Sequence, residues 1–410
     1  MSTNEPMSAE DQIALRDRDA DRGIVAGYLE KLKGGDLGML PVIFGVIIVW
    51  GVFYLKNDRF LSAFNLTNLS LQICAVGIAA IGVVLVLLLG EIDLSLGSVS
   101  GLCAAIVVVL NLDHAVPGPL ALLIGIAAGA AVGLFQALII TKIGVPSFVV
   151  TLAGFIGWQG ALLYVLGNGG ARNVTDPFML SLTDTFFGNA VVAWGIVIVM
   201  LGAMVGAGHL TRKRRQDAGL DVEPFAGLVV REVVISVVAL VAVFVWMQDR
   251  GLPLAVLILL GLVISFDLIV RRTPFGRHVF AVGGSKEAAR RAGINVNRIM
   301  TIVFVLSGTL AAAGGIMAAS RGLAVNQQSG SGGFLLNAIA AAVIGGTSLF
   351  GGRGSVYAAL LGALVIGSVA NGIALLGLTS DLEQMITALV LLAAVIVDAT
   401  ARRGRQSTGR

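Results

Sequence analysis

Apolar runs of roughly the length needed to cross a bilayer recur twelve times along this chain, near residues 38–55, 70–89, 95–112, 119–141, 147–166, 190–208, 230–247, 252–270, 299–319, 335–350, 355–376 and 385–400. A helix of about 20 apolar residues spans the ~30 Å of hydrocarbon. The reading is therefore an all-α polytopic membrane protein with about 12 transmembrane helices. Composition agrees: 57% of the 410 residues are apolar, 54 more are glycine, and only 13% are charged, against about 25% in ordinary soluble domains. Disorder, nucleic-acid binding and a soluble enzyme are all disfavoured. Cys74 and Cys103 lie inside apolar runs and are expected as buried thiols rather than a disulfide.

Twelve crossings place both termini on one side, and the basic residues choose the side. With the N-terminus cytoplasmic, 23 of the 28 Lys and Arg fall in inside segments, leaving only Lys56, Arg59, Arg172, Arg250 and Arg321 outside, as the positive-inside rule requires. Residues 1–36 carry charges of mixed sign, unlike the basic start of a signal peptide. The expected organisation is a cytoplasmic tail over 1–36, a membrane domain over 37–400 with a cytoplasmic loop at 271–298, and a second cytoplasmic tail over 401–410. The loops between spans are too short to hold a soluble domain.

So many glycines need a reason, since a helix-interior Gly costs about 1 kcal/mol relative to Ala in water. In lipid, small residues let helices approach closely. The four-residue spacings Gly125–Gly129–Gly133, Gly97–Gly101 and Gly202–Gly206 are read as packing surfaces.

Catalytic signatures are missing. No Gly-Lys dipeptide occurs, so no P-loop can cradle nucleotide phosphates, and no H-E-x-x-H pair is present. His114, His209 and His278 stand apart in the sequence, and no metal site is expected. Chemistry-bearing residues cluster instead in two polar breaks. The first is GEIDLSLGS over 90–98, where Glu91, Asp93, Ser95 and Ser98 interrupt about forty apolar residues. Ionisable groups at membrane depth cost at least ~2.5 kcal/mol and tend to mark pathways; a short cytoplasmic turn that starts the next helix is the competing reading. The second is GGTSLFGGRGSV over 345–356, whose Gly-Ser-Val echoes residues 97–99. Paired breaks of this kind occur in transporters built from repeats, where non-helical backbone lines a cavity.

A third stretch lies in the basic loop 271–298. Ser285 is a good N-cap, residues 286–292 favour helix, and Gly293 is a good stop. The spacing predicts a short capped helix on the inner surface, suited to docking; attraction of its basic residues to anionic lipid is the alternative.

The runs GEIDLSLGSVSG (90–101), VGGSKEAARRAGINVNRI (282–299), AIAAAVIGGTSLFGGRGSV (338–356) and ALLGALVIGSVANGIALLGL (359–378) resemble the permease subunits of ribose- and xylose-type ABC sugar importers, across essentially residues 40–400. The apolar pair near 230–270, additional to a ten-span family core, and Glu91 both resemble the xylose-type branch. The resemblance implies two permease copies around one path in a bacterial inner membrane, a separate ATPase dimer that binds the ATP, and a periplasmic sugar-binding protein. This chain would then be a transport subunit with no cofactor and no catalysis of its own. Ser285, Glu287, Ala288, Ala289, Arg290 and Gly293 are similar to the ATPase-coupling helix. No Ile-x-Leu-Pro closes the loop, which favours a vitamin-importer-like permease fold with broken helices. A sugar path needs hydroxyl partners, so Ser95, Ser98, Asn337, Thr347, Ser348 and Asn371 are candidate lining groups beside Glu91 and Asp93. The competing functions are an ion-coupled sugar transporter with Glu91 or Asp93 as proton carrier, and a membrane scaffold without transport.

Overall fold

The computed structural model describes residues 40–220, 222, 225–379, 381–389, 392 and 396. The tails 1–36 and 401–410, and most of the apolar run 385–400, lie outside the described residues. Fourteen helices are labelled here in chain order: α1 (Leu40–Lys56), α2 (Ala63–Leu88), α3 (Leu96–His114), α4 (Gly118–Leu138), α5 (Ser147–Leu166), α6 (Pro177–Asp184), α7 (Ala190–Asp217), α8 (Phe225–Met247), α9 (Leu254–Arg272), α10 (Pro274–Gly284), α11 (Lys286–Arg291), α12 (Val296–Gly322), α13 (Gly332–Ile344) and α14 (Tyr357–Leu375). Nine helices among the described residues are long and apolar enough to cross a membrane, α4 being continued by a π-helical turn to Ile143, and α1 and α13 are shorter apolar helices. The first eleven apolar runs of the sequence thus each correspond to a helix.

Contacts divide the described residues into two units, the first within 194–242, the second holding 40–193 and those from 243 onward. In the first, His209 of α7 lies 3.5 Å from Glu232 of α8. Gly202 and Gly206, expected as a packing surface, have nothing among the described residues within 4 Å of where a Cβ would stand.

The second unit is organised around α2 and α12. The crossing-length window of α2 is 89% buried, which suits a helix apolar on every side. Gly82 meets Ser307 while Gly314 meets Ala75 and Ala79, so the two helices run antiparallel. Along α4, Gly129 and Gly308 approach so closely that a Cβ on either would strike the other's carbonyl, and Gly133 sits likewise on Phe304. This is the small-residue packing expected from the 125–129–133 spacing. Gly77 meets Ala363 and Gly367 meets Ile73, which sets α14 antiparallel to α2. The trio α2–α3–α4 is thus repeated by α12–α13–α14 with chain direction reversed, α12 packing on α3 and α4 as α2 packs on α13 and α14.

One expected span differs in form. Residues 335–350 are not a single crossing: α13 covers only residues 332–344, about 20 Å at 1.5 Å per residue. The chain reaches it through the short strand Ala324–Asn326, paired antiparallel with Ala171–Asn173, and an irregular stretch whose Ser329 and Gly330 carbonyls press on Gly101 and Gly97. The break that mirrors residues 90–98 in the reversed trio is therefore 323–331, rather than 345–356. Apolar composition continues unbroken through Gly345, so hydropathy alone does not reveal where the helix starts and stops.

Candidate functional site

Two broken segments and the basic loop converge at one end of the second unit, here called the α10–α11 end. The positive φ of Gly90, +74°, turns the chain out of α2, and residues 91–95 then run along α5. Ser147 donates to Glu91, Thr151 donates to the Ile92 carbonyl at 3.2 Å, and Ser98 donates to the Phe155 carbonyl at 2.7 Å. Ser95 lies beside Gly154, and from Ser147 to Gly154 is about 10 Å of helix, so residues 91–95 run into the bundle along α5 rather than lying flat as a surface turn.

Asp93, 7% exposed, is held by three donors. Its Oδ1 accepts from the Ser95 backbone N–H at 3.0 Å and hydroxyl at 2.7 Å, and its Oδ2 accepts from Ser307 at 2.9 Å. Gln136 in turn donates to the Ser95 hydroxyl at 2.8 Å. Ser95 opens α3 but makes no side-chain cap bond; its hydroxyl serves the carboxylate instead. Glu91, also buried, pairs with Lys286 at the start of α11. A carboxylate removed from water needs such partners, since burial without them is costly.

The loop 345–356 closes on the same place. The Gly352 N–H donates to the Leu88 carbonyl at 2.9 Å, Gly351 lies against Gly90, and Gly283 at the end of α10 has no room for a Cβ between Leu88 and Gly352. Ser348 is buried and accepts from the Phe350 N–H at 3.2 Å. Thr347 is 2% exposed, and its buried hydroxyl oxygen has no partner.

The short docking helix forms as the caps predict. Ser285 accepts from the Ala288 N–H at 3.2 Å, and Gly293 turns the chain at φ +82°. Ala289, 3% exposed, anchors α11, while Ser285, Glu287, Ala288, Arg290 and Gly293 remain exposed. Glu287 is bridged to Arg291 at 3.2 Å. The loop holds a second helix that the sequence reading did not foresee, α10, capped by Thr273.

The structure brings Glu91, Asp93, Ser95, Ser98, Thr347 and Ser348 to this end. Asn371 is elsewhere: it accepts from Asn65 at 2.8 Å, near the start of α2 and so about 38 Å of helix from Gly90. Asn337 is half-buried on α13. Four residues that sequence reasoning missed complete the cluster, Gln136, Ser147, Lys286 and Ser307. Ordinary Ser, Gln and Lys give no local signal for these pairings.

A sequence profile described as "Branched-chain amino acid transport system / permease component" matches residues 65–395. The xylose transport system permease protein XylH of Haemophilus influenzae is 34% identical over 379 residues, 91% of this chain and 99% of that protein. XylH of Escherichia coli is 34% identical over 381 residues, 92% and 96%, and the ribose import permease protein RbsC of Bacillus subtilis 30% over 366 residues, 89% and 94%. No solved structure matches the chain. With most of its length matched both by the profile and by whole permeases, this chain belongs to the family of membrane permease components that includes the xylose and ribose permeases.

Proposed function

We propose that this chain is the membrane subunit of an ABC importer that moves D-xylose, or a related pentose or hexose, from periplasm to cytoplasm. The observation that carries this reading is the 34% identity that extends over 99% and 96% of two xylose permeases. In this reading the chain crosses the inner membrane twelve times with both termini cytoplasmic, and two copies enclose the path. A separate ATPase dimer binds ATP and docks on the exposed residues of α11, and a periplasmic binding protein delivers sugar at the opposite end.

The site suits that division of labour. When the ATPase dimer closes, it moves α11. Lys286 ties α11 to Glu91, and Glu91 begins the segment that Asp93, Ser95 and Ser307 fasten into the α2–α12 core. Each ligand then shifts access only by its differential affinity for the inward and outward states. Thr347 carries a buried hydroxyl without a partner among the described residues. Ser348, Ser95 and Ser98 are candidates at the same end whose hydroxyls are engaged within the chain in this state, and Asn337 and Asn371 are further candidates along the route.

The test is reconstitution of this chain in vesicles with the ATPase and binding-protein partners encoded beside it, followed by labelled D-xylose uptake. Uptake that needs ATP and all three components is expected. Uptake by this chain alone, abolished by a protonophore and by Asp93→Asn, would overturn the proposal in favour of ion coupling.

A further inference from the structure

Within the second unit, a polar face lies at membrane depth where lipid contact would be unfavourable. Gln159 is on α5, twelve residues from Ser147 and seven from Leu166, hence about 18 Å and 10 Å along the helix from its two ends. That is inside a hydrocarbon layer ~30 Å thick. Its amide N–H donates to the Gln327 carbonyl at 2.7 Å, which fixes that carbonyl at the same depth, while Asn326 pairs with Ala171 beyond the end of α5. Asn326, Gln327 and Gln328 are exposed there.

Irregular backbone and amide side chains at this depth are tolerated only where they are buried in protein or face water. These residues are not buried in this chain. Asn326 accepts from the Gln328 N–H at its amide oxygen at 2.8 Å, whereas among the described residues no hydrogen bond engages the Gln327 or Gln328 side-chain amides. The Gln159 side-chain carbonyl oxygen, by contrast, is buried and has no partner among the described residues. Beside Gln159, Gly157 and Gly160 leave open space, with nothing within 4 Å of a would-be Cβ.

Charge is confined to one edge of the face: no Asp, Glu, Lys or Arg occurs from residue 143 to 171 or from 322 to 352, and Arg172, on the strand paired with 324–326, is bridged to Asp113 at 3.3 Å. Amides present both donors and acceptors, the complement of a neutral polyhydroxylated solute; an ion would call for charged ligands. We infer that the exposed amide run 326–328, held in place by Gln159, forms a sugar-contacting wall of the translocation path, between the end of α5 and the level of Gln159 and apart from the Glu91–Asp93 cluster. The substrate class rests on the importer reading above, whereas the water-facing position does not.

The experiment uses the full chain reconstituted with its ATPase and binding protein. In Gln328→Leu an exposed side chain is replaced, and monodisperse elution on size exclusion checks that the variant folds. D-xylose uptake should fall at least tenfold while binding-protein-stimulated ATP hydrolysis stays within twofold. In parallel, the Gln328→Cys variant is treated with a charged, membrane-impermeant thiosulfonate; the natural thiols Cys74 and Cys103 are both fully buried. Reaction within minutes, slowed several-fold by D-xylose, is expected. Unchanged uptake in Gln328→Leu, or no reaction of Gln328→Cys, overturns the inference. Should the unmodified chain move no xylose, the substrate reading fails separately, and the thiol reaction alone decides whether this face lines a water-filled path.

Discussion

At the scale of single residues, the site is a set of carboxylates made tolerable by neighbours distant in sequence. Ser307→Ala removes one of three donors to Asp93 and should cost about 1–3 kcal/mol, read as a lowered midpoint of thermal unfolding in detergent. The Glu91–Lys286 pair couples a buried carboxylate to a lysine that is 44% exposed, between the surface and buried extremes. Glu91→Gln and Lys286→Met should each destabilise, and a double-mutant cycle should return a coupling of about 1–2 kcal/mol. Additive effects would mean that the pair holds nothing together. Glu91 and Asp93 were legible as unusual from the sequence because charge is rare in an apolar setting. Their partners were not: Lys286 is 195 positions from Glu91 and Ser307 is 214 from Asp93, and a lone serine in a span looks like any other. Asn371 illustrates the converse, since a polar residue type does not say at which end of the bundle it falls.

At the scale of elements, local signals were read well and backbone breaks poorly. Ser285 and Gly293 bound α11 because capping chemistry is short-range. Glycine spacing marked α4 as a packing surface, which α12 fills, yet the same spacing on α7 meets nothing within 4 Å among the described residues, because spacing states what a helix permits and says nothing of who is opposite. Two substitutions separate these cases. Gly308→Leu must drive a side chain into the Gly129 carbonyl and should destabilise by about 3 kcal/mol or more, seen as loss of monodisperse protein on size exclusion. Gly202→Ala meets open space and should be neutral or stabilising by up to about 1 kcal/mol, following helix propensity. The end of α13 was misplaced for a related reason: the expected run continues to residue 350 whereas the helix stops at Ile344, because a hydropathy window sums composition and does not register the turn at Gly345 and Gly346.

At the scale of the whole molecule, the basic residues make an orientation that can be measured. In intact cells or oriented vesicles, Glu287→Cys should react with an impermeant thiol reagent only from the cytoplasmic side and Asp58→Cys only from the other; labelling of both from one side would contradict the assignment of the spans between them. The reversed trios carry a consequence for how such a chain is made. A thirteen-residue helix is shorter than the segments that partition into a bilayer on their own account. As it leaves the ribosome, α13 therefore has no independent claim on the membrane. It must be drawn in by α2, completed more than two hundred residues earlier, and closed over by α14, which follows it. Membrane insertion here depends on tertiary structure already formed, so a nascent chain ending near residue 350 should leave the stretch from 323 onward open to protease, and extension through residue 378 should protect it.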